Sequence, residues 1–183
     1  MRAETLTLAE GLSDADATAQ SMADASPAKW HLGHTSWFFE ALVLEPGHPG
    51  YQLFDDRFAY LFNSYYDSVG PRQPRPQRGL LTRPPLADVI AYRHHVDAGL
   101  ADLMGNGGAD EGLLNIIELG LHHEQQHQEL LLTDILHLFA QNPLKPAYRP
   151  AEPLATGGGA PDLRWIAFDG GILPVAARGV GRS

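Results

Sequence analysis

From Leu119 to His137 the chain reads Leu-Gly-Leu-His-His-Glu-Gln-Gln-His-Gln-Glu-Leu-Leu-Leu-Thr-Asp-Ile-Leu-His, with no proline and its one glycine near the start. Apolar residues recur at helical spacing, which predicts a buried helix, started by Asp110 and stopped before Pro143. At about 100° per residue, His123 and His127 lie one turn apart and point the same way. Leu119, Gln126, Leu130 and Asp134 fall within roughly 60° of His123 on the same wheel. Imidazoles on the inward stripe of a helix are costly to bury unless their nitrogens are satisfied. A divalent transition metal satisfies them well. A lone core histidine is ordinarily just hydrogen-bonded, and nine histidines make chance pairs common; an i,i+4 pair on an apolar face is a more specific sign. His122 points about 100° away, toward solvent or the periphery of the site. Glu124 is expected on the flank and Glu129 beside His122 and Gln126, so a third ligand has to come from elsewhere.

The sequence predicts a second such helix from Ser26 as N-cap and Pro27 at its first position to about Leu44, ending before Pro46-Gly47. Trp30, His34, Trp37 and Ala41 share one stripe, which buries His34 among aromatics and makes it the candidate third ligand. The alternative is an aromatic-packed core histidine bonded to a carbonyl. His31, one turn away, leans to the edge of that stripe. Earlier, a short helix is expected from Arg2 to about Gly11, followed by a turn capped by Ser13 with Asp14 and Asp16 at its positive end.

Residues 46–85 form a long connection that needs structure of its own. Phe58–Tyr66 is aromatic-rich and suits a short helix. The stretch Gly70–Gly79 then carries Arg72, Arg75 and Arg78 among prolines. Guanidiniums on a stiff loop can grip a carboxylate bidentately, although a solvated basic loop fits the composition equally. Leu86–Met104 reads as a further helix, with Leu86, Val89, Ile90, Val96 and Leu100 inward and Arg93 outward. His94 and His95 are adjacent, so they cannot both face one site. Four main helical segments with one long crossover describe an all-α, up-down four-helix bundle. Ala151–Asp162 is rich in Pro, Gly and Ala and reads as a linker, and Arg164–Ile172 is β-like.

A chain of 183 residues with 44% hydrophobic content holds one real core, or a domain plus a fragment. The net charge of −9 argues against nucleic-acid binding through a basic surface. There is no cysteine, hence no disulfide, thiolate ligand or thiol nucleophile, which fits a reducing cytoplasm. The polar N-terminus is no signal peptide, and no apolar run approaches membrane-spanning length, so a soluble protein is expected.

His123-Glu-Gln-Gln-His127 also matches the H-E-x-x-H motif of zinc peptidases, in which the glutamate is the general base. The extended motif fails, because its Gly and third His positions are Leu130 and Thr133. A site of His34, His123 and His127 instead leaves positions open for substrate and dioxygen. Three neutral ligands leave the ion's charge uncompensated, which favours an anionic thiolate. Zn²⁺ and Ni²⁺ suit three imidazoles as well.

Four stretches carry a family resemblance: Ser26-Pro-Ala-Lys-Trp-His-Leu-Gly-His-Thr-Ser-Trp-Phe-Phe-Glu40, Leu61-Phe-Asn-Ser-Tyr-Tyr-Asp-Ser-Val-Gly70, Arg78-Gly-Leu-Leu-Thr-Arg-Pro84 and His122-His-Glu-Gln-Gln-His-Gln-Glu129. In this order they resemble the N-terminal DinB-like domain of the ergothioneine-biosynthesis sulfoxide synthases (hercynine oxygenases). The resemblance implies a DinB-like bundle of the up-down-down-up type over residues 1–148. It implies non-haem Fe(II) held at His34, His123 and His127. The family couples a cysteine-type thiol to the imidazole of trimethylhistidine, a histidine betaine, using dioxygen. Gln126 corresponds to the glutamine contacting the substrate imidazole, and a loop arginine to the group holding the thiol substrate's carboxylate. Arg72, Arg75 and Arg78 are the candidates, with Arg78 preferred. The family's catalytic tyrosine belongs to a large second domain similar to formylglycine-generating enzymes. Residues 149–183 match only a linker and its opening, Trp165-Ile-Ala-Phe-Asp-Gly-Gly171. The expectation is a truncated chain with the iron site and no catalytic residue of its own. The rival readings are a stand-alone DinB-like metal-dependent thiol transferase and a metal-binding remnant without turnover.

Overall fold

The computed structural model describes residues 1–64, 70–150 and 162–172. Met1–Pro150 is one compact unit and Ala151–Ser183 a second. The first is all-helical: α1 (Arg2–Ala9), α2 (Asp14–Thr18), α3 (Ala28–Phe39), a π-helical turn (Glu40–Leu44), α4 (Glu45–Gly47), α5 (Phe58–Phe62), a 3₁₀ helix (Arg75–Leu80), α6 (Leu86–Gly105) and α7 (Glu111–Gln141). The first arm of the bundle is thus broken into α1 and α2, and three long arms follow. No helix among the described residues is long and apolar enough to cross a membrane.

Several ends fall where local chemistry places them. Ser13 and Asp16 form a reciprocal capping box at α2. Asp110 caps α7 by accepting from the Leu113 N–H at 2.8 Å. Two expected ends differ. Pro27, not Ser26, is the N-cap of α3, because the Ser26 hydroxyl is taken by Arg78 and its N–H by Asp134. Nor does the helix stop before Pro46. It widens into the π turn and resumes with Pro46 in the first turn of α4, where its missing N–H is tolerated.

Helix α3 is the centre of the unit. Every residue from Ala28 to Phe39 is buried, mainly against α6 and α7 and to a lesser extent against α1, α2 and α5. It therefore has no exposed edge on which His31 could sit, contrary to the stripe reading. Gly120 lets α7 approach it closely: a Cβ there would lie 2.6 Å from the Phe39 ring and 2.9 Å from Phe38.

The long connection is ordered by one buried carboxylate. Glu40 accepts from the Tyr51 hydroxyl at 2.8 Å, the Phe54 N–H at 3.2 Å and the Tyr92 hydroxyl at 2.6 Å. Burial and this carboxylate push both phenols above their ordinary range. Phe54, Phe58, Phe62 and Tyr92 then pack ring on ring and seat α5 against the core. The expected helix through Tyr66 closes at Phe62; Tyr65 and Tyr66 lie outside the described residues.

Arg93 is wholly buried rather than outward. It pairs with Glu124, itself wholly buried, which also accepts from Thr5 and, at 2.9 Å, from Arg2. Arg2 in turn pairs with Asp97. Two guanidiniums and two carboxylates thus neutralise one another within the bundle. In the second unit, residues 162–172 have no regular structure, and the β-like stretch forms no strand there; a strand needs a paired neighbour. The linker 151–161 and the tail 173–183 lie outside the described residues.

Candidate metal centre

The α3 stripe and the α7 pair meet. His34, His123 and His127 each offer a ring nitrogen, and these atoms all lie within 4.8 Å of one another. The Nε2 atoms of His34 and His123 are 3.2 Å apart. Imidazole nitrogens about 2.0–2.1 Å from a tetrahedral zinc stand about 3.3 Å apart, so this spacing fits two ligands of one ion.

The rings are held from behind. His34 stacks between Trp30 and Trp37, with interplanar angles of 14° and 13°. Its Nδ1 donates to the Phe62 carbonyl at 2.6 Å, which leaves the Nε2 lone pair facing the cluster. That carbonyl is free to accept because it closes α5, as does the Leu61 carbonyl that receives Trp30 Nε1–H at 3.0 Å. The buried Nδ1 of His123 has no hydrogen-bond partner among the described residues, so that ring is held only from the cavity side and by the Phe38 ring. Two lone pairs do not face each other at 3.2 Å without a proton or a cation between them.

The electrostatics keep these imidazoles neutral, as ligation requires. Burial pushes His34 and His127 well below the ordinary histidine range, with the neighbouring imidazoles adding to it, and takes His123 down to about 4. A divalent ion fits this donor set: neutral nitrogens and one stranded ring atom, with the buried Arg78 as a cationic neighbour in the same cavity. No carboxylate is in the triad.

The cavity beside the cluster has a volume of about 440 Å³. Arg78 and Arg75 form its basic lining, and Gln126 and Asp134 its α7 side. Arg78 lies flat on Trp30, its guanidinium carbon 3.3 Å from the ring centre, and donates to Ser26 Oγ at 2.9 Å. Gln20 holds the 3₁₀ helix in place, donating to the Arg75 carbonyl at 2.9 Å and accepting from the Gly79 N–H at 2.7 Å. Arg72 is half-buried and does not line this cavity. Gln126 is exposed at the mouth, as is Leu119 further along that face; His122 is also exposed.

Two expectations about this helix are corrected. Glu124 is not on the flank but turned into the Arg2–Arg93 network, away from the imidazoles. It cannot serve as the base of an H-E-x-x-H peptidase, because its oxygens are consumed by cations and Thr5. His31 is not peripheral: its Nδ1 lies 2.9 Å from His127 Nδ1, and its Nε2 lies 3.0 Å from Asp134 Oδ2. The i,i+3 spacing of His31 and His34 is the sign of this in the sequence, and the burial of α3 on every side brings both rings to the cluster.

With this geometry in hand, comparison with protein-family models matches residues 1–131 to the DinB superfamily. The chain belongs to that superfamily, whose helical-bundle domains commonly bind metal. Comparison with curated proteins finds no match.

Proposed function

We propose that this chain supplies the metal-binding domain of a thiol-processing oxygenase of the ergothioneine sulfoxide-synthase type. His34, His123 and His127 would hold Fe(II), which when bound supplies a Lewis-acidic, oxygen-activating centre with open positions. The observation that carries the reading is the convergence of three neutral imidazoles with a buried, stacked arginine at one cavity. Arg78 presents its planar fork to a carboxylate of the thiol substrate, with Arg75 beside it, and the stack on Trp30 keeps that fork oriented. Gln126, next to His127 and at the mouth, offers an amide that can both donate to and accept from the imidazole of trimethylhistidine. Residues 149–183 are assigned, on the same resemblance, to the linker and opening of a second domain.

Anaerobic loading with Fe(II) tests the site: wild type should retain a single ion that His127→Ala loses, and equal uptake by both sinks the assignment. Oxygen consumption with cysteine or γ-glutamylcysteine plus trimethylhistidine tests the chemistry. A stand-alone thiol transferase is the second reading, favoured by the family match lying wholly within the bundle; it predicts thiol turnover without dioxygen.

A further inference from the structure

Asp134 lies two turns along α7 from His127 and is buried. Its Oδ2 accepts from the Ser26 N–H at 2.8 Å and meets His31 Nε2 at 3.0 Å. Across the same ring, His31 Nδ1 meets His127 Nδ1 at 2.9 Å. The direction of the hydrogens follows from the carboxylate. An ionised carboxylate only accepts, so His31 Nε2 carries the hydrogen. A neutral imidazole donates from one nitrogen, so His31 Nδ1 accepts, and the hydrogen between the two rings comes from His127 Nδ1. His127 is then left with its lone pair on Nε2.

We propose that Asp134 and His31 are positioning residues that fix His127 as its Nδ1–H tautomer and commit Nε2 to the metal. The inference rests on the metal-site reading and goes beyond it by grading the three ligands. His127 is backed by an imidazole and a carboxylate, His34 by a backbone carbonyl, and the Nδ1 of His123 by no hydrogen bond among the described residues. An imidazole whose N–H leans toward a carboxylate is the better donor, so His127 is the anchor of the site and His123 its yielding ligand. The same device couples the two halves of the cavity. Ser26 gives its N–H to Asp134 and its hydroxyl oxygen to Arg78, so one residue braces both the ligand relay and the anion-gripping guanidinium.

The test uses the full chain and two readouts. In the metal-free protein, long-range ¹H–¹⁵N spectra should report the Nδ1–H tautomer for His127 in wild type and its loss in His31→Phe. Cobalt(II) titration should show His31→Phe binding about 10–100-fold more weakly, with a shifted visible spectrum. His31→Gln can accept from His127 and donate to Asp134, and should recover most of that affinity. Circular dichroism of the metal-free variants establishes that they fold, and Asp134→Asn, which keeps an acceptor, provides a milder second variant with an intermediate loss. An unchanged tautomer and affinity in His31→Phe would overturn the proposal. So would a loss as complete as that of His127→Ala, since His31 would then be a ligand. Failure of the underlying reading looks different: wild type would bind no cobalt although His127 kept its Nδ1–H form, which supports the relay and removes the metal.

Discussion

Glu124 and His127 lie less than one turn apart on α7, and both bury polar atoms in the bundle, but their surroundings resolve that cost in opposite ways. Around Glu124, Arg2, Arg93 and Thr5 face the carboxylate, and Asp97 completes a set of two cations and two anions. Around His127 stand three other imidazoles and the Trp30 ring, with Arg78 lining the same cavity. The first side is electrostatically closed and needs nothing further. The second gathers lone pairs without a matching cation, opens on a cavity, and so has capacity for a ligand. A buried charge network and a binding site can therefore share one helix, distinguished by whether the charges around each already cancel.

The largest effect is expected on the closed side. Glu124→Ala leaves Arg93 buried without its carboxylate, and breaking such a pair costs about 3–5 kcal/mol. Urea denaturation should show a loss of that size; a loss below about 1 kcal/mol would mean the network contributes no more than a surface pair. Glu124→Gln, a milder change, should leave metal affinity within a few-fold, as expected of a group turned away from the site. The open side should answer in reverse. His127→Ala should leave the metal-free protein about as stable as wild type, yet abolish the thermal shift on adding metal. That shift is worth about 2.7 kcal/mol at a hundredfold excess of metal over Kd.

The same contrast explains what could be read from sequence. His123 and His127 are legible because i,i+4 spacing puts two side chains on one face whatever the rest of the fold does. His34 is legible because its stripe is aromatic. Arg93 and Glu124 are not, because a charged side chain is placed outside by default and their exemption here depends on Arg2, 91 positions from Arg93 and 122 from Glu124, a pairing no local pattern records. His31 is hard to place from sequence for a related reason: periodicity presumes a solvent side, and α3 has none. The capped starts of α2 and α7 were legible because a cap is a local event. Pro46 misled because a proline ends a helix only where no new turn can begin at it.

Acid should separate the two sides next. His123 has its pKa lowered from 6.5 to about 4, and His34 and His127 are lowered too. Well above pH 6.5 neither the folded nor the unfolded chain protonates these rings, so they are neutral to stability. As the pH falls from 6.5 toward 4 the unfolded chain takes up protons that the folded chain refuses, and stability is lost. Melting temperatures of the metal-free protein should fall through that window. His123→Leu should flatten part of the decline, and a variant as pH-sensitive as wild type would place the titrating groups elsewhere. Metal binding to the folded protein should hold through most of that window and weaken only as the pH nears 4, where His123 takes up its proton.

The smallest expected effect tests whether the support behind the ligands matters apart from the ligands themselves. A Cβ at Gly33 would meet the Phe62 ring at 2.3 Å, so Gly33→Ala must displace that side chain. Overpacking of this kind costs about 1–3 kcal/mol. Phe62 also supplies the carbonyl that orients His34, so the displacement reaches the open side of α7 without touching a ligand or the Glu124 network. Metal affinity should fall while the urea slope stays at its wild-type value, as for a locally shifted backbone in an intact bundle. If stability drops and affinity does not, the α5 carbonyl only fills a hydrogen bond, and ring stacking by Trp30 and Trp37 suffices to aim His34.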